Sequence, residues 1–137
     1  MTDPVPDMSL RRVFRGIGCA LTGVAVMLRT QRSARIHLLF TILVCGLAAV
    51  LRLAIWDWCW LLLAISMVWS AEAANTAIEF LADVVCPHYH EGIRNTKDVA
   101  AAAVFFVVIG AVAIGFLVLA PPLWAWASAL LSTQGTP

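Results

Sequence analysis

The chain is 137 residues long, 62% apolar and 12% charged, with six tryptophans and a formal net charge of +1. A soluble domain is nearer half apolar and a quarter charged, so this is the composition of a membrane protein, with room for one domain and three or four spans of about 20 residues. It excludes a soluble two-domain enzyme and a large channel built from one chain. Three helices have few faces with which to enclose a site, so self-association is expected.

Charge placement says more than net charge. Arg11, Arg12, Arg15, Arg29, Arg32 and Arg35 lie before residue 36, Arg94 and Lys97 lie in the segment 83–98, and only Arg52 falls elsewhere. No charged side chain follows Asp98. Basic residues in short flanking loops mark the cytoplasmic side, so the N-terminus and the 83–98 loop are expected inside, and the 52–58 loop and the C-terminus outside. No basic stripe lies outside the membrane flanks, so nucleic acid is not implied. Cys19, Cys45, Cys59 and Cys86 have no metal or redox spacing and read as small apolar fillers.

In chain order, residues 1–8 carry Pro and Asp and are expected to be loose. Leu10, Val13, Phe14, Ile17, Leu21, Val24 and Leu28 then form a helical apolar stripe with Arg11, Arg12, Arg15 and Arg29 mostly off it. That pattern predicts an amphipathic helix over about 9–30, lying on the membrane surface. Arg11-Arg12-Val13-Phe14 before an apolar stretch also mimics a twin-arginine export signal, but no small-x-small cleavage site follows Leu28. Membrane spans are predicted over about 36–55, 58–80 and 99–120, the last stopped by Pro121-Pro122. Arg52 can snorkel to the outer interface. Trp56, Trp58 and Trp60, with Trp124 and Trp126, mark that same interface. Ala100–Ala103, Gly110 and Gly115 allow the third span to pack closely.

Ionisable groups inside a span are costly and point to function. At about 100° per residue, Glu72, Asn75, Thr76, Glu79 and Asp83 fall within roughly 100° of arc, which makes one face of the second span acidic. Counting from Trp58 at about 1.5 Å per residue, Glu72 lies about 21 Å across and Glu79 about 31 Å. In a core of about 30 Å, Glu72 is submerged in the cytoplasmic half, while Glu79 and Asp83 emerge at the interface. Clustered carboxylates call for a cation, and oxygen ligands with a phosphate partner suit Mg²⁺. The next loop supplies His88, Tyr89, His90, Glu91, Arg94, Lys97 and Asp98, and Lys97 can act as a point charge on a phosphate. This combination suggests phosphoryl transfer at a membrane surface, where positioning and charge neutralisation carry the catalysis. The competing readings are a polar seam that pairs helices in an oligomer and an ion or proton path. His88 and His90, spaced by two, also read as plain interfacial residues. The chain has no Walker-type phosphate loop, no kinase glycine-rich loop and no nucleophile elbow.

The string Glu72-Ala-Ala-Asn75-Thr76-Ala-Ile-Glu79-Phe-Leu-Ala-Asp83, followed by Tyr89-His90-Glu91 and by Lys97-Asp98 with an alanine run, resembles the prokaryotic diacylglycerol kinase family, which includes the undecaprenol kinases. The family pattern is E-x-x-N-S/T-A-I-E-x-x-x-D, with K-D opening the last helix. Arg35-Ile36-His37 resembles the segment that begins its first span. The resemblance extends over about residues 10–120. It implies a homotrimer of three-span chains with N-terminal surface helices, and active sites between subunits at the cytoplasmic interface of the bacterial inner membrane. The implied reaction passes the γ-phosphoryl group of Mg-ATP to a lipid primary hydroxyl.

By the same resemblance, Glu72 is the general base and Glu79 a carboxylate that binds magnesium and ATP. Asn75, Lys97 and Asp98 surround the phosphates, Asp83 is another acid of the site, and Arg12 and His88-Tyr89-His90 contact the nucleotide. Gln31 stands where many members carry a second metal-binding Glu, and its amide oxygen is a weaker ligand. Ala34 replaces a usual Phe and Ala102 a frequent Gly. The expected fold is therefore all-α and membrane-embedded, one lipid kinase domain over 1–137, with diacylglycerol and undecaprenol both open as acceptors.

Overall fold

The computed structural model describes residues 10–133, and the loose segment expected over residues 1–8 lies outside them. The described residues form four helices: α1 Leu10–Thr30, α2 Arg32–Val50, α3 Ile55–Val85 and α4 Glu91–Thr133. All four are long and apolar enough to cross a membrane.

From Arg12 to Val24 every residue of α1 is exposed, and its first buried side chain is Met27, near its C-terminal end. A single residue separates α1 from α2. Gln31 adopts φ −101° and ψ 125°, an extended conformation between two helices. The break turns the chain and sets the Gln31 side chain at the head of α2.

The first predicted span, 36–55, is displaced towards the N-terminus: α2 begins at Arg32 and ends at Val50. Its end is a Schellman-type cap. Leu53 N–H donates to the Ala48 carbonyl at 3.2 Å and Arg52 N–H to the Ala49 carbonyl at 3.1 Å. Arg52 takes the left-handed conformation at φ 52°, where glycine is usual. The short turn carries the chain into α3, which starts at Ile55 rather than Trp58 and continues to Val85 rather than Phe80. At about 1.5 Å per residue α3 is about 46 Å long, so it overruns a hydrocarbon core of about 30 Å.

The helix that carries the third predicted span, 99–120, extends beyond it at both ends. Helix α4 starts at Glu91 and passes through Pro121 and Pro122 to Thr133. Two prolines remove two backbone donors, those that would serve the carbonyls of Leu117 and Val118. The loss is local, and membrane helices tolerate it. The Ala- and Leu-rich sequence from Leu123 to Leu131 consists largely of strong helix formers, so the helix resumes. The α2–α3 turn faces this point: Leu51–Ala54, Asp57, Leu117, Val118 and the two prolines line a cavity of about 400 Å³.

Helix α3 is the hub: it packs most extensively on α4 and also against α2. Much of the core is alanine: Ala34, Ala48, Ala64, Ala82 and Ala100 are all buried. Small side chains let helix backbones approach closely where there is no water to drive association.

A non-glycine residue in the left-handed region costs about 1–2 kcal/mol. Arg52→Gly is therefore expected to stabilise the protein by about 1 kcal/mol, read as a rise in thermal unfolding temperature in detergent. A fall would mean that the Arg52 side chain makes a contact worth more than the backbone strain it causes.

Candidate active site

The polar residues of α3 lie where the helical period predicts. Glu72, Asn75 and Thr76 are buried, with Glu72 only 1% exposed. Glu79 is half-buried and Asp83 exposed. The stripe thus runs from the interior of the bundle to its surface along one helix face.

A buried carboxylate must find hydrogen-bond or charge partners. Helix α2 provides them from a polar row of its own, Ser33, His37 and Thr41, spaced at i, i+4 and i+8. The Ser33 hydroxyl donates to Glu72 Oε1. His37 Nε2 faces Glu72 Oε2 at 3.6 Å. One turn further along α2, Thr41 Oγ1 accepts from Trp69 Nε1 at 3.2 Å and donates to the His37 carbonyl at 2.8 Å. As residue numbers rise on α2 they fall on α3, which is antiparallel packing in a single register.

The second cluster centres on Glu79. Gln31 Nε2 donates to Glu79 Oε2 at 2.8 Å, and Asn75 Nδ2 donates to Oε1 at 3.0 Å. Both carboxylate oxygens are therefore held by neutral amide donors. The sequence reading put the Gln31 oxygen towards a metal. Here its nitrogen faces Glu79 instead, because an ionised carboxylate offers only acceptors and an amide meets it with N–H.

The third cluster lies at the surface. Lys97 Nζ pairs with Asp83 Oδ1 across the α3–α4 connection, and Arg94 Nε stands 3.6 Å from Asp98 Oδ2 on exposed side chains. His88, Tyr89 and His90 are exposed on the connection itself. His90 Nδ1 accepts the Gly92 amide proton at 3.1 Å, which caps the start of α4. Arg12 is exposed on α1 and makes no ion pair among the described residues. Gln31, Asn75, Glu79 and Glu72 are thus brought together, and Asp83 with Lys97 forms the next layer. Arg12, Asp98 and the 88–90 loop are not drawn into contact with them.

Ser33 and His37 are the functional candidates that sequence reasoning missed. The signal was their spacing of four on an apolar helix, which puts both on the face opposite an acidic stripe.

No group of three His, Cys, Asp or Glu side chains able to hold a metal occurs among the described residues. The Asn75 amide oxygen is buried beside Glu79 and has no hydrogen-bond partner among the described residues. A half-buried carboxylate next to an unpartnered amide oxygen fits a hard cation that takes only one or two protein ligands and completes its shell with phosphate and water. Magnesium binds in this way.

Comparison with known proteins supports the family. The family model for prokaryotic diacylglycerol kinase matches residues 18–119. The undecaprenol kinase of Bacillus subtilis strain 168 is 32% identical over 116 residues, covering 83% of this chain and 93% of that protein. The diacylglycerol kinase of Synechocystis sp. is 38% identical over 105 residues, covering 76% of this chain and 60% of that protein. The buried acidic stripe of α3 and its polar partners lie inside the matched region, and the chain belongs to the prokaryotic diacylglycerol kinase family and is a lipid kinase.

Proposed function

We propose that the protein transfers the γ-phosphoryl group of Mg-ATP to the primary hydroxyl of a membrane lipid, undecaprenol or diacylglycerol, at the cytoplasmic face of the bacterial inner membrane. The observation that carries this reading is the difference in depth between two carboxylates on one helix face. Glu72 is enclosed and Glu79 is half-open, and they are seven residues or about 10 Å apart along α3. A lipid hydroxyl comes from the apolar side and a nucleotide from water, so the reaction needs groups at both depths.

Glu72 is assigned as the general base that takes the hydroxyl proton. Glu79, with Gln31 and Asn75, is assigned to the magnesium-bound phosphates. Lys97 and Asp98 lie towards the phosphates, with Asp83 holding Lys97. Arg12 and the His88–His90 loop are assigned to the nucleotide. When bound, magnesium would neutralise phosphate charge, and in phosphoryl transfer most of the catalysis is positioning and charge stabilisation.

In the membrane we assign α1 to the surface and α2, α3 and α4 to the three spans. The exposed apolar stripe of α1, which meets the bundle only near its end, supports a surface position. Eight of the nine basic residues fall at the N-terminal flank or in the 83–98 loop, which supports an N-terminus inside and a C-terminus outside. The homotrimer in which neighbouring copies complete the site is carried over from the family resemblance.

The test is transfer of labelled γ-phosphate to lipid by the purified protein, with undecaprenol and diacylglycerol offered separately. Glu72→Gln is expected to lower the transfer rate by about 10²–10⁴-fold, the range of general-base catalysis, with Mg-ATP binding retained. No transfer to either acceptor by a folded protein would move the acidic stripe to the seam or ion-path reading.

Glu79→Gln is expected to weaken Mg-ATP binding by about tenfold or more, the scale of one lost charge-assisted contact, measured by calorimetry. Chelating divalent ions should weaken nucleotide binding to the unaltered protein and leave little further effect in the variant.

A further inference from the structure

The two oxygens of Glu72 have different neighbours. Oε1 is engaged by the Ser33 hydroxyl. Oε2 faces His37 Nε2 at 3.6 Å, beyond hydrogen-bonding range. A point about 2.8 Å from both nevertheless exists, since a triangle with those sides closes. An atom placed there must accept a proton from the imidazole and give one to the carboxylate. A hydroxyl does both, whereas an ammonium can only donate and an ether can only accept.

The space on the other side of His37 is apolar. A cavity of about 630 Å³ lies between α2, α3 and α4, running from His37 to Leu123. His37 and Thr41 are its only polar lining residues among those described. Thr41 is already committed, accepting from Trp69 and donating to the His37 carbonyl. The His37 imidazole makes no hydrogen bond among the described residues and is 16% exposed, against 1% for Glu72. It is therefore the one polar group at that end of the cavity with a donor to offer.

Resting on the lipid-kinase reading above, we propose that His37 is the acceptor-binding residue. Its Nε2–H donates to the hydroxyl oxygen of the lipid alcohol, whose own proton points at Glu72 Oε2 and whose hydrocarbon lies in the α2–α3–α4 cavity. In the transfer step the acceptor O–H bond breaks and its proton goes to Glu72 Oε2. The freed electron pair forms the new bond to the γ-phosphorus. The bond from that phosphorus to the bridging oxygen of ADP breaks, and its pair leaves with ADP. His37 keeps its proton throughout and orients the attacking oxygen. Ser33 holds the other carboxylate oxygen, so that Oε2 is the one presented.

The experiment uses the full chain in lipid nanodiscs with each acceptor in turn. His37→Ala is expected to raise the acceptor KM by about tenfold or more, the scale of one lost hydrogen bond. The ATP KM should stay within about twofold, and His37→Gln, which keeps an N–H donor, should recover most of the loss. An unchanged acceptor KM, or an equal rise in both KM values, overturns the assignment. The unaltered protein supplies a measurement free of folding effects. A long-chain primary alcohol with a diazirine beside its hydroxyl should label peptides containing Ile36, His37 or Thr41. Labelling elsewhere alone overturns the proposal. If the unaltered protein phosphorylates neither acceptor, the lipid-kinase reading falls and takes this one with it. If it phosphorylates one while labelling and KM values fail as described, only the role of His37 falls.

Discussion

A carboxylate buried among membrane helices has to be paid for by partners, and the arrangement of α2 against α3 follows from that requirement. Isolated ionised groups in an apolar interior are strongly disfavoured. Removing one member of a buried pair is costly because the other is left uncompensated. Ser33, His37 and Thr41 stand at the spacing of helical turns, and so do Trp69, Glu72 and Thr76 opposite. Slipping α2 by one turn would leave only one of Ser33 and His37 beside Glu72, and would separate Thr41 from Trp69 and Gln31 from Glu79. The polar contacts are few, but they select one register from several that apolar packing alone would tolerate.

The connections serve the same register. Gln31 is a single extended residue between two helices, so its side chain is held at a defined height opposite Glu79. A longer linker would leave that amide free to wander. At the other end of α2, the turn closes within four residues at the cost of a left-handed Arg52. The chain thus tolerates local backbone strain at one end of α2 and presents its polar row at the other. The alanines buried between the helices permit the close approach that these short polar contacts require.

The acidic stripe was readable because it lies on one helix, where the 3.6-residue period alone decides which residues share a face. Glu72, Asn75, Thr76, Glu79 and Asp83 keep that order, with burial falling from Glu72 to Asp83. The existence of four helical segments was legible for the same reason. Contacts between helices were not, because they depend on register, and register depends on turns of unknown geometry. Ser33 and His37 therefore escaped notice, although His37 stood inside the quoted Arg35-Ile36-His37 segment. The passage of α4 through Pro121-Pro122 was not legible for a different reason. Proline removes particular hydrogen bonds rather than forbidding a helix, and the strong helix formers beyond it decide whether the helix resumes.

Gln31 illustrates how much chemistry can turn on which atom of one side chain faces inward. A carboxylate at this position, set against Glu79, would place two like charges together, and such a pair resists joint ionisation unless a cation lies between them. The amide avoids that conflict. Its nitrogen satisfies Glu79 Oε2 directly, while Asn75 satisfies Oε1 from the same helix. Both Glu79 oxygens are therefore hydrogen-bonded before any ion arrives, while the Asn75 amide oxygen is left without a partner among the described residues. If magnesium is to use both side chains, Gln31 must rotate its amide to present oxygen, giving up one hydrogen bond as the metal bond forms. In the proposed reaction the ion would then arrive with the nucleotide, since phosphate oxygens supply the ligands that the protein withholds. The exchange of acid for amide thus separates the stability of the site from its occupancy by metal.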